Sequence, residues 1–389
     1  MHNPPIPCRI ADRNAGPERV GEVDQGQPMP SELQDNQVKP RLKLSVLRDI
    51  AIVATLVVLG LYAGARFLIP LTMALLVNVL IMALSDRVVS LTRMPVWLAN
   101  IAGVTVVLAG LFMIMYILGS QATQFARSIN TYENQFDGAV NRITGLVGND
   151  VTTFIRDNLV SIDMSYVARV LLGSATSLLN QFFLISLYVA FLMAERLAFR
   201  KKIQLAAGNP QLGSEFASVL DAISYSLQRY VGVKTFISLT TAGISYTVFR
   251  VLGLEYAETW AVLTFALNFI PSIGSIIAVL FPALIALVQF ETIGPFLIIV
   301  LGCGTIQFLI GNFLDPAMLG RSLNMSTFLV ILALTFWTTV WGLIGAFLSV
   351  PLTVCILIIF SHIPALRPVA ILMSLDGRLG DDNRPKTAL

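Results

Sequence analysis

Residues 260–290 read WAVLTFALNFIPSIGSIIAVLFPALIALVQF, and this stretch decides the fold. It holds two apolar runs, Trp260–Ile270 and Ile276–Phe290, separated by Pro271–Ser275. The runs have eleven and fifteen residues, which is too short for either to cross a bilayer alone, because about 20 helical residues are needed. The stretch therefore predicts a broken helical hairpin that enters a membrane and returns to the side from which it came.

A second pair of short apolar runs lies downstream, Phe328–Phe336 and Gly345–Phe360, joined by Trp337–Gly342. Each pair follows one full-length apolar run, Thr235–Leu252 before the first and Phe296–Leu314 before the second. Counting crossings places both ends of the first pair outside and both ends of the second inside. This arrangement predicts an inverted repeat. Paired Gly/Pro-interrupted segments indicate a transporter binding site, and the alternative is a packing kink in an ordinary span.

The composition is that of a membrane protein. Of 389 residues, 56% are hydrophobic and 13% are charged, whereas soluble domains carry roughly 25% charged residues. The net charge of +3 gives no signal for nucleic-acid binding. Three cysteines without CxxC spacing and two distant histidines predict no metal site and no cofactor. The sequence has no HExxH, GxSxG or Walker A motif, so a carrier is favoured over an enzyme, with a non-transporting membrane scaffold as a further alternative.

Apolar runs and basic residues together predict an all-α polytopic membrane protein with about six full spans plus two re-entrant or broken hairpins. A basic cluster from Lys39 to Arg48 places the N-terminus in the cytoplasm. The first two spans are expected to form a tight hairpin with its tip outside, broken at Gly64, Arg66 and Pro70. The predicted segments are a disordered cytoplasmic tail (1–46), spans one to three (47–119), an extracytoplasmic amphipathic helical segment (120–170), span four (171–194), a cytoplasmic connector (195–232), a transport core with the two broken hairpins (233–363) and a cytoplasmic tail (364–389).

The extracytoplasmic segment carries a heptad stripe of apolar residues. Either the stripe lies on the outer membrane surface, or it forms a contact between subunits, which would make the protein a homo-oligomer. The stripe consists of Phe125, Ile129, Tyr132, Phe136, Ala139, Ile143 and Leu146.

Residues 268–275 read NFIPSIGS, residues 307–316 read QFLIGNFLDP and residues 349–352 read SVPL. These motifs resemble the signatures of the autoinducer-2 exporter family of bacterial permeases. The resemblance covers about residues 45–375 and is strong over 255–375. Many members carry an acidic residue shortly after the glutamine that corresponds to Gln307, but here Phe308 to Gly311 are apolar.

The resemblance implies a carrier in the bacterial inner membrane with both termini in the cytoplasm. The C-terminal block resembles the subgroup assigned to autoinducer-2 export, and the family also includes proteins described as sodium/proton antiporters. Rocking or sliding of the core 233–363 against the first four spans would give alternating access.

Autoinducer-2 is a small, hydroxyl-rich molecule, so its site needs groups that hydrogen bond to hydroxyls and not a fixed charge. Trp337 and Trp341 are expected to anchor the protein at the membrane interface, the commoner role, or alternatively to offer apolar faces to a ring. The predicted substrate-binding residues are Asn268, Pro271, Ser272, Gly274, Ser275, Gln307, Asn312 and Thr338.

Coupling to an ion would normally require an Asp or Glu inside a span. No carboxylate stands near the centre of any predicted span, and Asp315 is the nearest candidate. It precedes Pro316 at the end of a span, where a helix-end role is favoured. The pattern therefore favours passive or weakly coupled export over cation antiport.

Overall fold

The structure, a computed structural model, describes residues 44–147, 179–195, 198, 202, 205–206, 208–319 and 324–377. Nearly all of these residues are helical, and among them the pairing of Met325 with Ser374 is the only β-type contact. Five described helices are long and apolar enough to cross a membrane, and shorter apolar helices accompany them. The prediction of an all-α polytopic membrane protein is confirmed.

The described residues of the N-terminal part form four helices: α1 (Leu44–Ala63), α2 (Ala65–Thr92), α3 (Val96–Val147) and α4 (Leu179–Glu195). The described residues divide within α1 into two compact units, 44–54 and the chain from Thr55 onwards.

The predicted break between the first two spans covers Gly64, Arg66 and Pro70. Helix α2 includes Arg66 and Pro70, so the one residue between the two helices is Gly64. Helical hydrogen bonds continue on both sides of it, from Gly64 N to Gly60 O at 2.8 Å and from Leu68 N to Gly64 O at 2.9 Å. The expectation of a tight hairpin is therefore wrong, because the helical hydrogen bonding continues through Gly64. A single residue between two hydrogen-bonded helices kinks the chain but is too short to reverse it.

Helices α2 and α4 pack through small and branched side chains, among them Ala74 and Ile81 of α2 and Ile185 and Val189 of α4. All four are less than 5% exposed. We call α2, α3 and α4 the scaffold helices.

Helix α3 continues without a break for 52 residues, so the third predicted span and the start of the segment 120–170 are one helix. The side chains of the heptad stripe and residues 148–178 lie outside the described residues.

Between residues 208 and 377, the part of the chain that the structure describes forms six helices: α5 (Pro210–Leu252), α6 (Ala257–Leu267), α7 (Ile273–Gln289), α8 (Gly294–Met318), α9 (Thr327–His362) and α10 (Arg367–Met373). The Asn209 side chain caps α5 by accepting a hydrogen bond from Gln211 N, and Pro210 occupies the first turn. The predicted boundary between connector and core, at 232–233, lies inside α5. Gly232 stands at that boundary, but a single glycine lowers the stability of a helix without ending it.

Helices α6 and α7 form the first broken hairpin. The side chain of Gln289 joins the two ends of this hairpin by hydrogen bonds. Its Oε1 accepts a hydrogen bond from Glu255 N at 2.8 Å, and its Nε2 donates one to Gly253 O at 2.8 Å. Both partners precede α6, whereas Gln289 ends α7. The chain therefore leaves this hairpin beside the point where it enters, as the two short apolar runs predict.

Helix α9 forms the second hairpin, because it folds back at Gly342, whose backbone angles of φ 63° and ψ −142° are not helical. Trp337 Nε1 donates a hydrogen bond to Thr353 Oγ1 at 3.2 Å, although 16 residues separate them. A straight helix would place them about 24 Å apart. The flanking segments meet as well, since Ser326 N donates to Met373 O at 3.2 Å.

Candidate transport site

The first break lies between α6 and α7, where Ser272 has the unusual backbone angles φ 60° and ψ −51°. Ser275 Oγ donates a hydrogen bond to Ser272 O at 3.0 Å. Gly274 lies against the end of α6, so a Cβ added there would overlap Leu267 O and lie 2.7 Å from the Leu267 carbonyl carbon. Only glycine allows this approach of one backbone to another.

The second break repeats this contact. A Cβ added at Gly345 would overlap Trp337 O and lie 2.6 Å from the Trp337 carbonyl carbon. Each glycine follows an isoleucine, Ile273 in the first hairpin and Ile344 in the second. Both halves of the predicted inverted repeat thus reverse the chain through a glycine packed on a carbonyl of the preceding helix.

The two breaks contact each other. The ring centroids of Phe269 and Phe347 lie 4.7 Å apart with the planes inclined by 31°, a favourable distance for an aromatic pair. Ile270 is 5% exposed and packs with Leu334 and Ala346 of the second hairpin. The predicted tips are therefore joined by an apolar contact between the residues that flank them.

One face of α5 carries four buried polar side chains at helical spacing, Lys234, Ser238, Thr241 and Ser245. We call it the polar face of α5. Asn268, in the first break, donates a hydrogen bond from Nδ2 to Ser238 Oγ at 3.1 Å. Asn268 is 7% exposed, so a predicted site residue is buried between the first break and this face.

Helix α8 packs on the same face and contains two π-helical turns, Ile299–Cys303 and Ile310–Leu314. A π turn adds a residue to the helical repeat, which helps place Gln307 and Asp315 on one side of α8. Lys234 Nζ donates a hydrogen bond to Asp315 Oδ2 at 2.6 Å.

Two polar atoms of α8 are buried without a hydrogen-bond partner among the described residues, Gln307 Nε2 and Asp315 Oδ1. Buried polar atoms are nearly always paired in folded proteins. Asp315 Oδ1, beside Lys234 on the polar face of α5, and Gln307 Nε2 are therefore available to a ligand or to water.

A cavity of about 390 Å³ lies where α2 and α4 meet the second hairpin. Arg66 of α2 and Asn180 and Gln181 of α4 contribute its polar lining, and Ile344 contributes an apolar wall beside the second break. Its volume is in the range of small-molecule sites, roughly 300–1,000 Å³. The cavity thus lies between the scaffold helices and the second break.

Comparison with known sequences decides the family. The model of the AI-2E family transporter matches residues 50–365, which is most of the chain. The chain belongs to the AI-2E transporter family.

Two relatives of this AI-2E transporter match over nearly their whole length. The AI-2 transport protein TqsA of Escherichia coli is 30% identical over 345 residues, 86% of this chain and 98% of the relative. A candidate transport protein of Haemophilus influenzae is 30% identical over 349 residues, 88% of this chain and 98% of the relative. Family and relatives agree that the chain is a membrane transport protein, which argues against an enzyme.

Five of the predicted substrate-binding residues of this AI-2E transporter lie together in the first break: Asn268, Pro271, Ser272, Gly274 and Ser275. Gln307 is buried, at 7% exposed. Asn312 Nδ2 and Thr338 Oγ1 donate to carbonyls of their own helices, Phe308 O at 2.9 Å and Leu334 O at 2.6 Å. The described contacts therefore bring Asn268 to the polar face of α5 but not Asn312 or Thr338. A role in substrate binding stays a prediction for all eight.

The expectation that Trp337 and Trp341 anchor the protein at the interface is wrong. They are 5% and 7% exposed. Each indole N–H has a partner inside the protein, because Trp337 donates to Thr353 Oγ1 and Trp341 donates to Leu61 O at 2.9 Å. Their rings also pack on each other with centroids 5.2 Å apart, so both tryptophans are part of the hairpin core.

Lys234 is the functional candidate that the sequence analysis missed. Its partner Asp315 was placed correctly near the end of a span, but the ion pair was not predicted because 81 residues separate the two. A signal was present: Lys234 begins an apolar run in which Ser238, Thr241 and Ser245 follow at helical spacing. A lysine on such a stripe indicates a buried partner.

Proposed function

We propose that this protein exports a small, neutral, hydroxyl-rich metabolite or signal across the bacterial inner membrane, and that autoinducer-2 is that molecule. The observation that carries the proposal is the contact between the two broken hairpins, Phe269 against Phe347. Breaks in membrane helices persist where they are buried in protein or line a cavity, and carriers bind their substrates at such breaks.

The chemistry of the first break supports a neutral ligand. Asn268, Ser272 and Ser275 in this break, and Gln307 on α8, carry amide and hydroxyl groups that both donate and accept hydrogen bonds, as hydroxyl recognition requires. The unpartnered Gln307 Nε2 is a donor for one such hydroxyl. The 30% identity to a protein named for AI-2 transport supports autoinducer-2, and hence release of a quorum-sensing signal, as the cargo.

The mechanism that we propose is alternating access, in which the core 233–363 rocks or slides against the scaffold helices. The cavity between α2, α4 and Ile344 supports this, because it is a gap at the boundary where such a motion would occur. Arg66, Asn180 and Gln181 add polar groups beside the second break to a gap whose lining is otherwise mainly apolar.

We also propose that the protein is a homo-oligomer assembled through the segment 120–170, with both termini in the cytoplasm. The heptad stripe within residues 125–146 supports the assembly, since such spacing is typical of helix pairing. The basic residues before α1 support the orientation.

Sodium/proton antiport is the second candidate, and one observation favours it. Asp315 Oδ1 is buried and has no hydrogen-bond partner among the described residues, and a carboxylate oxygen is the ligand that Na⁺ or a proton would use. Against it, Lys234 already neutralises this carboxylate.

Transport into inverted membrane vesicles tests the proposal. We expect autoinducer-2 to accumulate with or without Na⁺ and pH gradients, and we expect Asn268→Ala to lower the rate by about tenfold, the effect of losing one good hydrogen-bonding group. Thr240→Ala is the matched control, because Thr240 Oγ1 only donates to Phe236 O of its own helix. No accumulation by the native protein would refute export of autoinducer-2, and accumulation only under a Na⁺ gradient would favour the antiporter.

A further inference from the structure

Lys234 and Asp315 form an ion pair. Transport of a neutral molecule does not explain why charged residues lie at this position. The two side chains are 9% and 19% exposed, and Nζ lies 2.6 Å from Oδ2. By contrast, the Arg250–Glu258 pair between α5 and α6 is 62% and 37% exposed, with its atoms 3.6 Å apart. Solvent screens the second pair much more than the first.

Both partners of the buried pair belong to the predicted core 233–363, Lys234 on α5 and Asp315 on α8. A bare carboxylate is costly in a low-dielectric environment, and carriers with such a carboxylate commonly neutralise it with a bound cation. Here the neutralising cation is a side chain of the same protein. The pair can therefore move with the core without taking up or releasing an ion.

We propose that the Lys234 ammonium takes the place of a coupling cation, so that export requires neither Na⁺ nor a proton gradient. This inference rests on the proposed function and deepens it. Its direct consequence is that removing the ammonium creates a cation site. In Lys234→Met, both oxygens of Asp315 lack a partner among the described residues, and a monovalent cation, Na⁺ or a proton, takes the place of the ammonium. Hard cations such as Na⁺ prefer oxygen ligands of this kind.

The first measurement is thermal unfolding of purified protein in detergent, with NaCl compared with choline chloride at equal ionic strength. We expect Na⁺ to raise the unfolding temperature of Lys234→Met and to leave the native protein unchanged, because a ligand stabilises only a protein that binds it. Arg250→Met is the matched control, since it removes a cation from the exposed pair on the same helix. A pH series without Na⁺ separates proton binding from Na⁺ binding. Lys234 and Tyr230 of α5 are the described titratable groups near Asp315, and Tyr230 is kept in every variant.

The second measurement is autoinducer-2 export in phosphatidylethanolamine–phosphatidylglycerol vesicles. Lys234→Met should export about tenfold more slowly than the native protein without Na⁺ at alkaline pH, since its core carries an unpaired charge, and Na⁺ or lower pH should restore the rate. Lys234→Met/Asp315→Asn removes both charges and should show no cation dependence.

The proposal is overturned if folded Lys234→Met unfolds at the same temperature with and without Na⁺ and across the pH series. It is also overturned if native export requires Na⁺. If Lys234→Met does not fold, Lys234→Gln takes its place. If neither Lys234→Met nor Lys234→Gln folds at any Na⁺ concentration while the double variant folds, a free cation cannot replace the ammonium and the proposal is wrong. Should the native protein fail to export autoinducer-2, the proposed cargo is wrong, but the unfolding measurement still decides the cation claim.

Discussion

The indole N–H of Trp337 donates a hydrogen bond to the hydroxyl of Thr353 at 3.2 Å, and both residues are buried. This contact joins the two arms of α9, which would otherwise form a continuous helix of 36 residues. The hydroxyl of Thr353 donates in turn to Ser349 O at 2.7 Å. A short polar chain therefore fixes the second hairpin in its folded-back form inside an otherwise apolar core.

Thr353→Val should destabilise the protein by about 1–3 kcal/mol, because it removes the acceptor and leaves the Trp337 N–H buried without a partner. The measurement is thermal unfolding in detergent. Thr335→Val is the control, since Thr335 is exposed and its hydroxyl donates only to Ile331 O of the same helix. Equal unfolding temperatures for the two variants would show that the Trp337–Thr353 bond does not hold the hairpin.

The hairpins were predictable from sequence because they follow from a length rule and from backbone chemistry. Apolar runs of eleven and fifteen residues cannot span a bilayer alone, and Pro271 with Gly274 marks where the helix must break. The role of Trp337 and Trp341 was not predictable in the same way. Tryptophan is common at membrane interfaces, and only the fold-back at Gly342 supplies the internal acceptors that bury these two.

Gly274→Ala should abolish export while the protein still inserts into the membrane. The added Cβ would overlap Leu267 O, so the first break has to open and its contact with the second is lost. Gly345→Ala should have the same effect through Trp337 O.

Gly243→Ala is the control for these glycine variants, because a Cβ at Gly243 of α5 meets nothing within 4 Å. Alanine there should keep export and add up to about 1 kcal/mol of helix stability. Export assays on membranes with equal amounts of each variant make the comparison. Normal export by Gly274→Ala would mean that the break is an ordinary kink.

Asp315→Asn should destabilise the protein strongly, by about 3–5 kcal/mol, because it leaves the Lys234 ammonium buried without its counter-charge. Adding Lys234→Met should recover most of that loss, since an uncharged pair of similar volume needs no counter-charge. Glu258→Gln in the exposed pair should cost no more than about 1 kcal/mol. Unfolding of these three variants and of Lys234→Met in detergent measures the difference, and a loss in the double variant equal to the sum of the two single losses would contradict a coupled pair.

The ion pair shows why only part of the site could be predicted. Asn268, Ser272 and Gly274 are close in sequence, so a local motif predicts their proximity. Lys234 and Asp315 are 81 residues apart, and their contact depends on how α5 packs on α8 and on the π-helical turns that orient Asp315. No local sequence pattern specifies that packing. The same limit applies to Gln289, whose bonds to Gly253 and Glu255 close the first hairpin.

The central claim is that the two broken hairpins enter the membrane from opposite faces and meet inside it. Cysteine labelling from each side tests it most directly, in a chain lacking the three native cysteines, with Ser272→Cys in the first break, Thr339→Cys in the second and Val107→Cys of α3 as the control. We predict that a small water-soluble thiol reagent labels Ser272→Cys from outside and Thr339→Cys from the cytoplasm, whereas Val107→Cys stays unreactive, because a thiolate forms only where water has access. The claim is contradicted if both break positions are as inert as Val107→Cys, or if Thr339→Cys is labelled from outside and never from the cytoplasm.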